Sequence, residues 1–101
     1  LKMVYVTAGG PFGAAKAIQD LGKTGEIGVV AYDHIPDNLV YVQSGEIVGL
    51  INQDPFGQGF DTVVMMHNYL TTGVDPGVDF VEAALDVVTP DDVGDFYPDY
   101  K

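Results

Sequence analysis

Three short apolar runs in this chain end alike, each in a polar residue followed by a turn and the start of a helix, and those residues are Thr7, Asp33 and Gln53. If the runs are parallel strands of an open sheet, their carboxyl ends share one edge, and such sheets bind ligands in the crevice outside that edge. A carboxylate accepts two hydroxyl protons, an amide both donates and accepts, and a hydroxyl does either, so the trio suits a hydroxyl-rich molecule. The structural alternative is that each residue caps the helix after it or satisfies the backbone of the turn, as polar residues at strand ends often do. Tyr32 and Phe56 flank two of the three and could stack on the apolar face of a ring. Equally, Tyr32 completes its strand and Phe56 begins the inward face of a helix.

Other chemistry finds no apparatus. Gly22, Lys23 and Thr24 spell the end of a phosphate-binding loop, yet Ala17 stands where its first glycine must be and the tripeptide follows a helix instead of a strand, so it is a turn. Gly9, Gly10 and Gly13 lack the spacing of a dinucleotide-binding turn. His34 and His67 have no further histidine or cysteine at metal-ligand spacing and read as a loop residue and a helix-face residue. Ser44 lies in a helix-ending turn without a base beside it. No cofactor and no metal are expected, and the chain does not read as an enzyme.

The elements that must position these residues alternate between apolar runs and amphipathic stretches, the pattern of βαβ units and an α/β parallel sheet. Met3 to Val6 is a first strand. A helix opens at Pro11, buries Ala14, Ile18 and Leu21, and stops at Gly22. Ile27 to Tyr32 is apolar without strict alternation, as for a central strand covered on both faces. A shorter helix runs from Pro36 to Gly45 with Leu39 and Val42 inward, and a third strand from Ile47 to Asn52. Asp54 then caps a long helix with Pro55 at its first position and Phe56, Phe60, Val63, Val64, His67 and Leu70 at helical spacing before Gly73. A loop over residues 72–79 leads to a last strand, Phe80 to Val88, and Thr89 and Pro90 could start a short helical turn. The acidic tail from Asp91 to Lys101 carries no assigned structure.

At 101 residues there is material for one core. Hydrophobic residues make up 47% of the chain and no apolar run approaches the roughly 20 residues of a membrane span, so the segment reads as soluble and ordered. Fifteen acidic residues against four lysines give a formal net charge of −11, which repels nucleic acid and anionic membranes. The absence of cysteine removes disulfides and thiolate chemistry together. The chain begins at Leu1 without an initiator Met or a leader, as expected if a targeting segment was removed or the piece was cut from something longer.

The segments TAGGPFGAAKAI (7–18), VVAYD (29–33), YVQSGEI (41–47), INQDPFGQG (51–59) and DVVTPDDV (86–93) resemble the C-terminal half of type I periplasmic sugar-binding proteins, the ribose- and galactose-type receptors of ABC importers. The resemblance spans nearly the whole chain in order. It implies a three-layer αβα lobe, incomplete in this chain, with sugar contacts at Asp33 and Gln53. Thr7 stands where the family often has Asn, and a hydroxyl reaches less far than an amide. It also implies that residues 1–53 form a βαβαβ segment of the C-terminal lobe, that 54–85 belong to or cross toward the other lobe, and that 86–101 hold the strand end and tail.

The function implied is sugar binding between two lobes for ABC transporter import, with a membrane permease as partner and a periplasmic or extracellular location, as a secreted protein or a lipoprotein. The alternative is the sugar-sensing domain of a LacI-type repressor, which shares the fold. Because the long helix carries an apolar face, its cover is expected either from the missing half of the receptor or from a second copy exchanging the helix in a homodimer.

Overall fold

The computed structural model describes residues 1–100. The chain divides into two compact units, Leu1–Asn52 together with the residues from Asp86 onward, and Gln53–Leu85.

The first unit is built on a four-stranded sheet of β1 (Met3–Tyr5), β2 (Gly28–Tyr32), β3 (Ile47–Asn52) and β4 (Asp86–Val88), in the order β1-β2-β3-β4. β1, β2 and β3 are mutually parallel, joined by the crossover helices α1 (Pro11–Asp20) and α2 (Pro36–Gln43). Both helices open with proline at the first helical position, where its missing N–H costs nothing. Two right-handed crossovers stepping the same way along a sheet put both helices on one face. Alternate residues of β2 accordingly face them, as do Ile47 and Leu50 on either side of an irregularity in β3, and Val29, Ala31, Ile47, Leu50 and Val88 form one buried cluster with Ala15 and Ile18 of α1 and Leu39 and Val42 of α2.

The other face carries no helix of this unit among the described residues, so two of the three expected layers are present. The central β2 is covered on one face instead of two: Val29 and Ala31 are buried, whereas Val30 and Tyr32 are half-buried, and Tyr5 and Val87 beside them are exposed. A bulge between Val29 and Val30 pairs them with Ile47 and Gly49 and leaves Val48 between. Val48 lies over Gly28, where a Cβ would come within 3.0 Å of it, which explains the glycine at the start of β2.

The last strand departs from expectation in length and direction. Only Asp86–Val88 is strand, and it runs antiparallel to β3, with Leu50 opposite Val88 and Asn52 opposite Asp86. The chain re-enters the sheet at the end where β3 leaves it, without a helical crossover, and that return can only be antiparallel. Phe80 to Leu85 are irregular because no strand lies beside them to take up their backbone bonds. The tail, in contrast, is structured up to Tyr100, with Lys101 outside the described residues: α4 (Val93–Phe96) is followed by one 3₁₀ turn, Pro98–Tyr100. Val93 enters the core at 3% exposure, and the Asp92 carboxylate accepts from the Thr89 amide (2.6 Å) and hydroxyl (3.0 Å) to hold the chain at the start of the helix.

The second unit consists of α3 (Pro55–Thr72) and the irregular segment that follows. Asp54 caps α3 by accepting from the Gly57 amide at 3.0 Å, and Gly73 in the left-handed region ends it. None of α3 is buried among the described residues: Phe56 is 79% and Leu70 72% exposed, and the rings of Phe56 and Phe60 stack on each other with centroids 5.8 Å apart. The face expected to point inward thus lacks a cover within its own unit.

Candidate functional site

Asp33 is the first residue past β2 and is exposed. Its φ of +76° lies in the left-handed region, which costs a non-glycine residue on the order of 1–3 kcal/mol and persists only where surrounding structure enforces it. Three bonds do so here. The Asp33 amide donates to the Ile51 carbonyl of β3 (2.9 Å), and its own carbonyl accepts from the Ile35 amide (2.9 Å), closing a tight turn around His34. The same carbonyl accepts from Asn38 Nδ2 at 2.9 Å, and that nitrogen also reaches the Tyr32 carbonyl at 3.3 Å. Asn38 sits in the first turn of α2 and is fully buried.

His34 uses both ring nitrogens. Nε2 lies 2.8 Å from the Leu50 carbonyl and Nδ1 2.8 Å from the Tyr97 hydroxyl. A carbonyl can only accept, so in the neutral ring Nε2 carries the proton and Nδ1 accepts from Tyr97. The two rings meet edge to face, 5.6 Å apart at 80°. Burial, and secondarily the charge of Asp86, raise the Tyr97 pKa, so its hydroxyl keeps the proton it donates.

Gln53 directly follows β3, is exposed, and its carbonyl accepts from Gln58 Nε2 at 2.6 Å. The next residue, Asp54, also takes a positive φ (+48°). Its carboxylate lies so close to residue 57 that a Cβ there would meet Oδ2 at 1.9 Å, so the cap requires Gly57. Thr7 is exposed and lies two residues beyond β1, next to Val6, whose amide donates to the Val30 carbonyl at 2.9 Å. Thr7 and Asp33 therefore stand at the carboxyl ends of neighbouring parallel strands.

Tyr32 closes β2, and its hydroxyl lies 2.5 Å from that of Tyr5 on the sheet face away from the helices. The ring centroids are 6.0 Å apart, and this hydrogen bond is the main cause of a raised pKa at Tyr5. Tyr5, Asn38, His34 and Tyr97 were not legible as a group in the sequence. The strand period puts Tyr5 opposite Val4, but the others meet only through tertiary folding. Within the second unit, a groove of about 490 Å³ is lined by residues including Met65, Met66, Tyr69, Val78 and Phe80. Thr62, Asp75 and Asp79 line it as well, and a second groove of this unit is lined by residues including Gln58, Asp61 and Glu82.

The chain is similar to solved structures of sugar receptors. It aligns over 91% of its length with GanP, a glucose-galactose binding protein from Geobacillus stearothermophilus, at 24% identity and a TM-score of 0.82. An ABC transporter solute-binding protein from Agrobacterium vitis bound with α-D-tagatopyranose matches over 94% of this chain at 26% identity and a TM-score of 0.81. A proposed LacI transcriptional regulator from Bacteroides fragilis matches over 96% at 20% identity and a TM-score of 0.80. In all three the match covers 32% of the other protein, so the chain spans about a third of their length. No curated protein sequence matches. The model of the periplasmic binding protein domain matches residues 1–73, more than half of the chain. The α/β lobe, with its crossover helices on one face and polar residues at its strand ends, thus belongs to the periplasmic binding protein domain family.

Proposed function

We propose that this chain supplies one wall of a sugar-binding cleft in an extracytoplasmic receptor that delivers its ligand to an ABC transporter permease. The observation that carries the reading is Asp33: an exposed residue at the carboxyl end of a strand flanked by parallel neighbours, on a left-handed backbone that three hydrogen bonds hold in place. A carboxylate carried on a backbone held in this way accepts from two sugar hydroxyls without the turn first being ordered, which spares a receptor part of the entropic cost of arranging its contacts on binding. Gln53 adds an amide that both donates and accepts, Thr7 a hydroxyl, and Tyr32 an aromatic face. Two lobes close on the sugar, and no bond is made or broken. The sugars named with the matched structures support this ligand class. The apolar face of α3 takes its cover from the remainder of the receptor or from a second copy that exchanges the helix.

Thermal-shift measurements on the full-length protein with D-glucose, D-galactose and D-tagatose test the reading. At a ligand concentration of about 100 Kd a binder adds roughly 2.7 kcal/mol of stability. At least one sugar should raise the melting temperature, and Asp33→Ala should remove the shift by leaving hydroxyls unpaired in a closed cleft. A shift that survives Asp33→Ala, or none with any sugar, refutes the proposal. The match to the Bacteroides fragilis structure favours a second reading, a sugar-sensing domain of a LacI-type repressor. A chain with a net charge of −11 would leave DNA contact to another segment, and specific operator binding by the full-length protein would select that reading.

A further inference from the structure

We propose that His34 and Tyr97 are positioning residues for sugar binding: through them the C-terminal segment clasps the turn that presents Asp33. The inference rests on the function proposed above and adds residues outside the strand-end set.

The direction of the Asp33 side chain is set by its φ of +76°, since a return to negative φ would swing its Cβ to another side of the backbone. A left-handed residue followed at once by a tight turn, at an exposed strand end, opens readily unless tied from outside. Asn38 ties the Asp33 carbonyl from α2. His34, at the centre of the turn, is tied twice, to the Leu50 carbonyl of β3 and to the Tyr97 hydroxyl beyond α4, each at 2.8 Å. With both nitrogens engaged, the imidazole plane is fixed, and with it the peptide units that flank the turn.

Tyr97 can serve as an anchor because its own segment is anchored. Its amide donates to the Val93 carbonyl at 2.8 Å, Val93 is buried in the core, and Asp92 binds the chain back to Thr89. The bond between residues 34 and 97 therefore links the binding turn to the end of the chain. Removing the Tyr97 hydroxyl leaves Nδ1 without its donor and frees the ring to turn about its remaining bond, so the 33–35 turn samples conformations in which the carboxylate is misdirected. Only the fraction of molecules with the turn closed binds sugar tightly, and apparent affinity falls by that fraction.

Tyr97→Phe in the full-length protein keeps the ring and its edge contact while removing the hydroxyl. In ligand-free protein, the amides of Asp33 and Ile35 should exchange with solvent about tenfold faster, while that of Val29, in the centre of the sheet, stays unchanged. With D-glucose, D-galactose and D-tagatose as probes, affinity for whichever binds should fall by about threefold to tenfold, and the same substitution in an Asp33→Asn background should cost less than about twofold further. Unchanged exchange at Asp33 and Ile35 overturns the clasp. Faster exchange with unchanged affinity, or an equal loss of affinity in both backgrounds, overturns its role in directing Asp33. If none of the three sugars binds the unmodified protein, the function proposed above fails, and the exchange result alone decides whether the clasp exists.

Discussion

Replacing Asn38 with aspartate exchanges one side-chain nitrogen for oxygen and leaves the shape intact, so its effect isolates what that nitrogen does. Asn38 is 0% exposed, and Nδ2 donates at 2.9 Å to the Asp33 carbonyl and at 3.3 Å to the Tyr32 carbonyl. Its Oδ1 is buried and accepts from nothing among the described residues, so the amide stays for its donor end alone. A carboxylate has no proton to offer. Asn38→Asp loses both bonds and sets a charged oxygen against two carbonyl oxygens.

Each neutral hydrogen bond contributes about 1 kcal/mol, and an unpaired buried charge costs several more. The new carboxyl escapes that cost by holding its proton, which raises its folded pKa above the value of about 3.9 it has when unfolded. Between those two values the native state binds more protons than the unfolded state, so stability falls as pH rises through the window and levels off above it. The deficit should be about 1 kcal/mol near pH ~4, where the retained proton can still bridge to the Asp33 carbonyl, and about 3–5 kcal/mol near pH ~7. Urea unfolding of the full-length protein at both pH values measures it, with Asn38→Ala as a control whose deficit does not depend on pH. An Asn38→Asp protein as stable as the unmodified one at neutral pH, or one with equal deficits at both, refutes the view that this nitrogen holds the turn.

Asp33→Gly and Asp33→Val should both abolish the sugar-induced thermal shift, yet differ in stability, with glycine the more stable by about 1–2 kcal/mol because a β-branched residue is strained at positive φ. Equal unfolding midpoints would remove backbone strain from the account. Gly57→Ala should destabilise the start of α3 and speed amide exchange there, although alanine gains about 1 kcal/mol in helix propensity, because the added Cβ displaces the Asp54 cap; a stabilised variant would contradict this. In a spectrophotometric titration the phenols of Tyr5 and Tyr97 should ionise above pH 10.0, the usual tyrosine value. The stability that the half-buried neutral Tyr97 contributes is then fully present below about pH 10 and is lost as pH rises through its higher folded value. Loss of both raised titrations in Tyr97→Phe, instead of one, would show that the assignments are coupled.

The alternation of apolar runs and amphipathic stretches made most elements legible, because each run could be sorted by period and punctuation without its neighbours. The span of β3 and the Asp54 cap with Gly73 ending α3 follow the sequence reading. Two regions resisted it. Phe80 to Val88 has strand composition along its length, but a strand exists only where another backbone offers bonds, and only Asp86–Val88 meets β3. The tail looked like an acidic run with aromatics, and its order depends on Val93 entering a core built mostly by residues more than forty positions earlier.

The sequence by itself determined the class of fold, the helix boundaries marked by Pro and Gly, and the polar residues Thr7, Asp33 and Gln53 at strand ends, since these depend on local period and local backbone preference. Only the tertiary structure decided which sheet face is covered, that the returning strand is antiparallel, and that Asn38, His34 and Tyr97 gather around the Asp33 turn. Those outcomes depend on partners distant in the chain, and a hydrogen bond between residues 34 and 97 leaves no periodic trace in the order of amino acids.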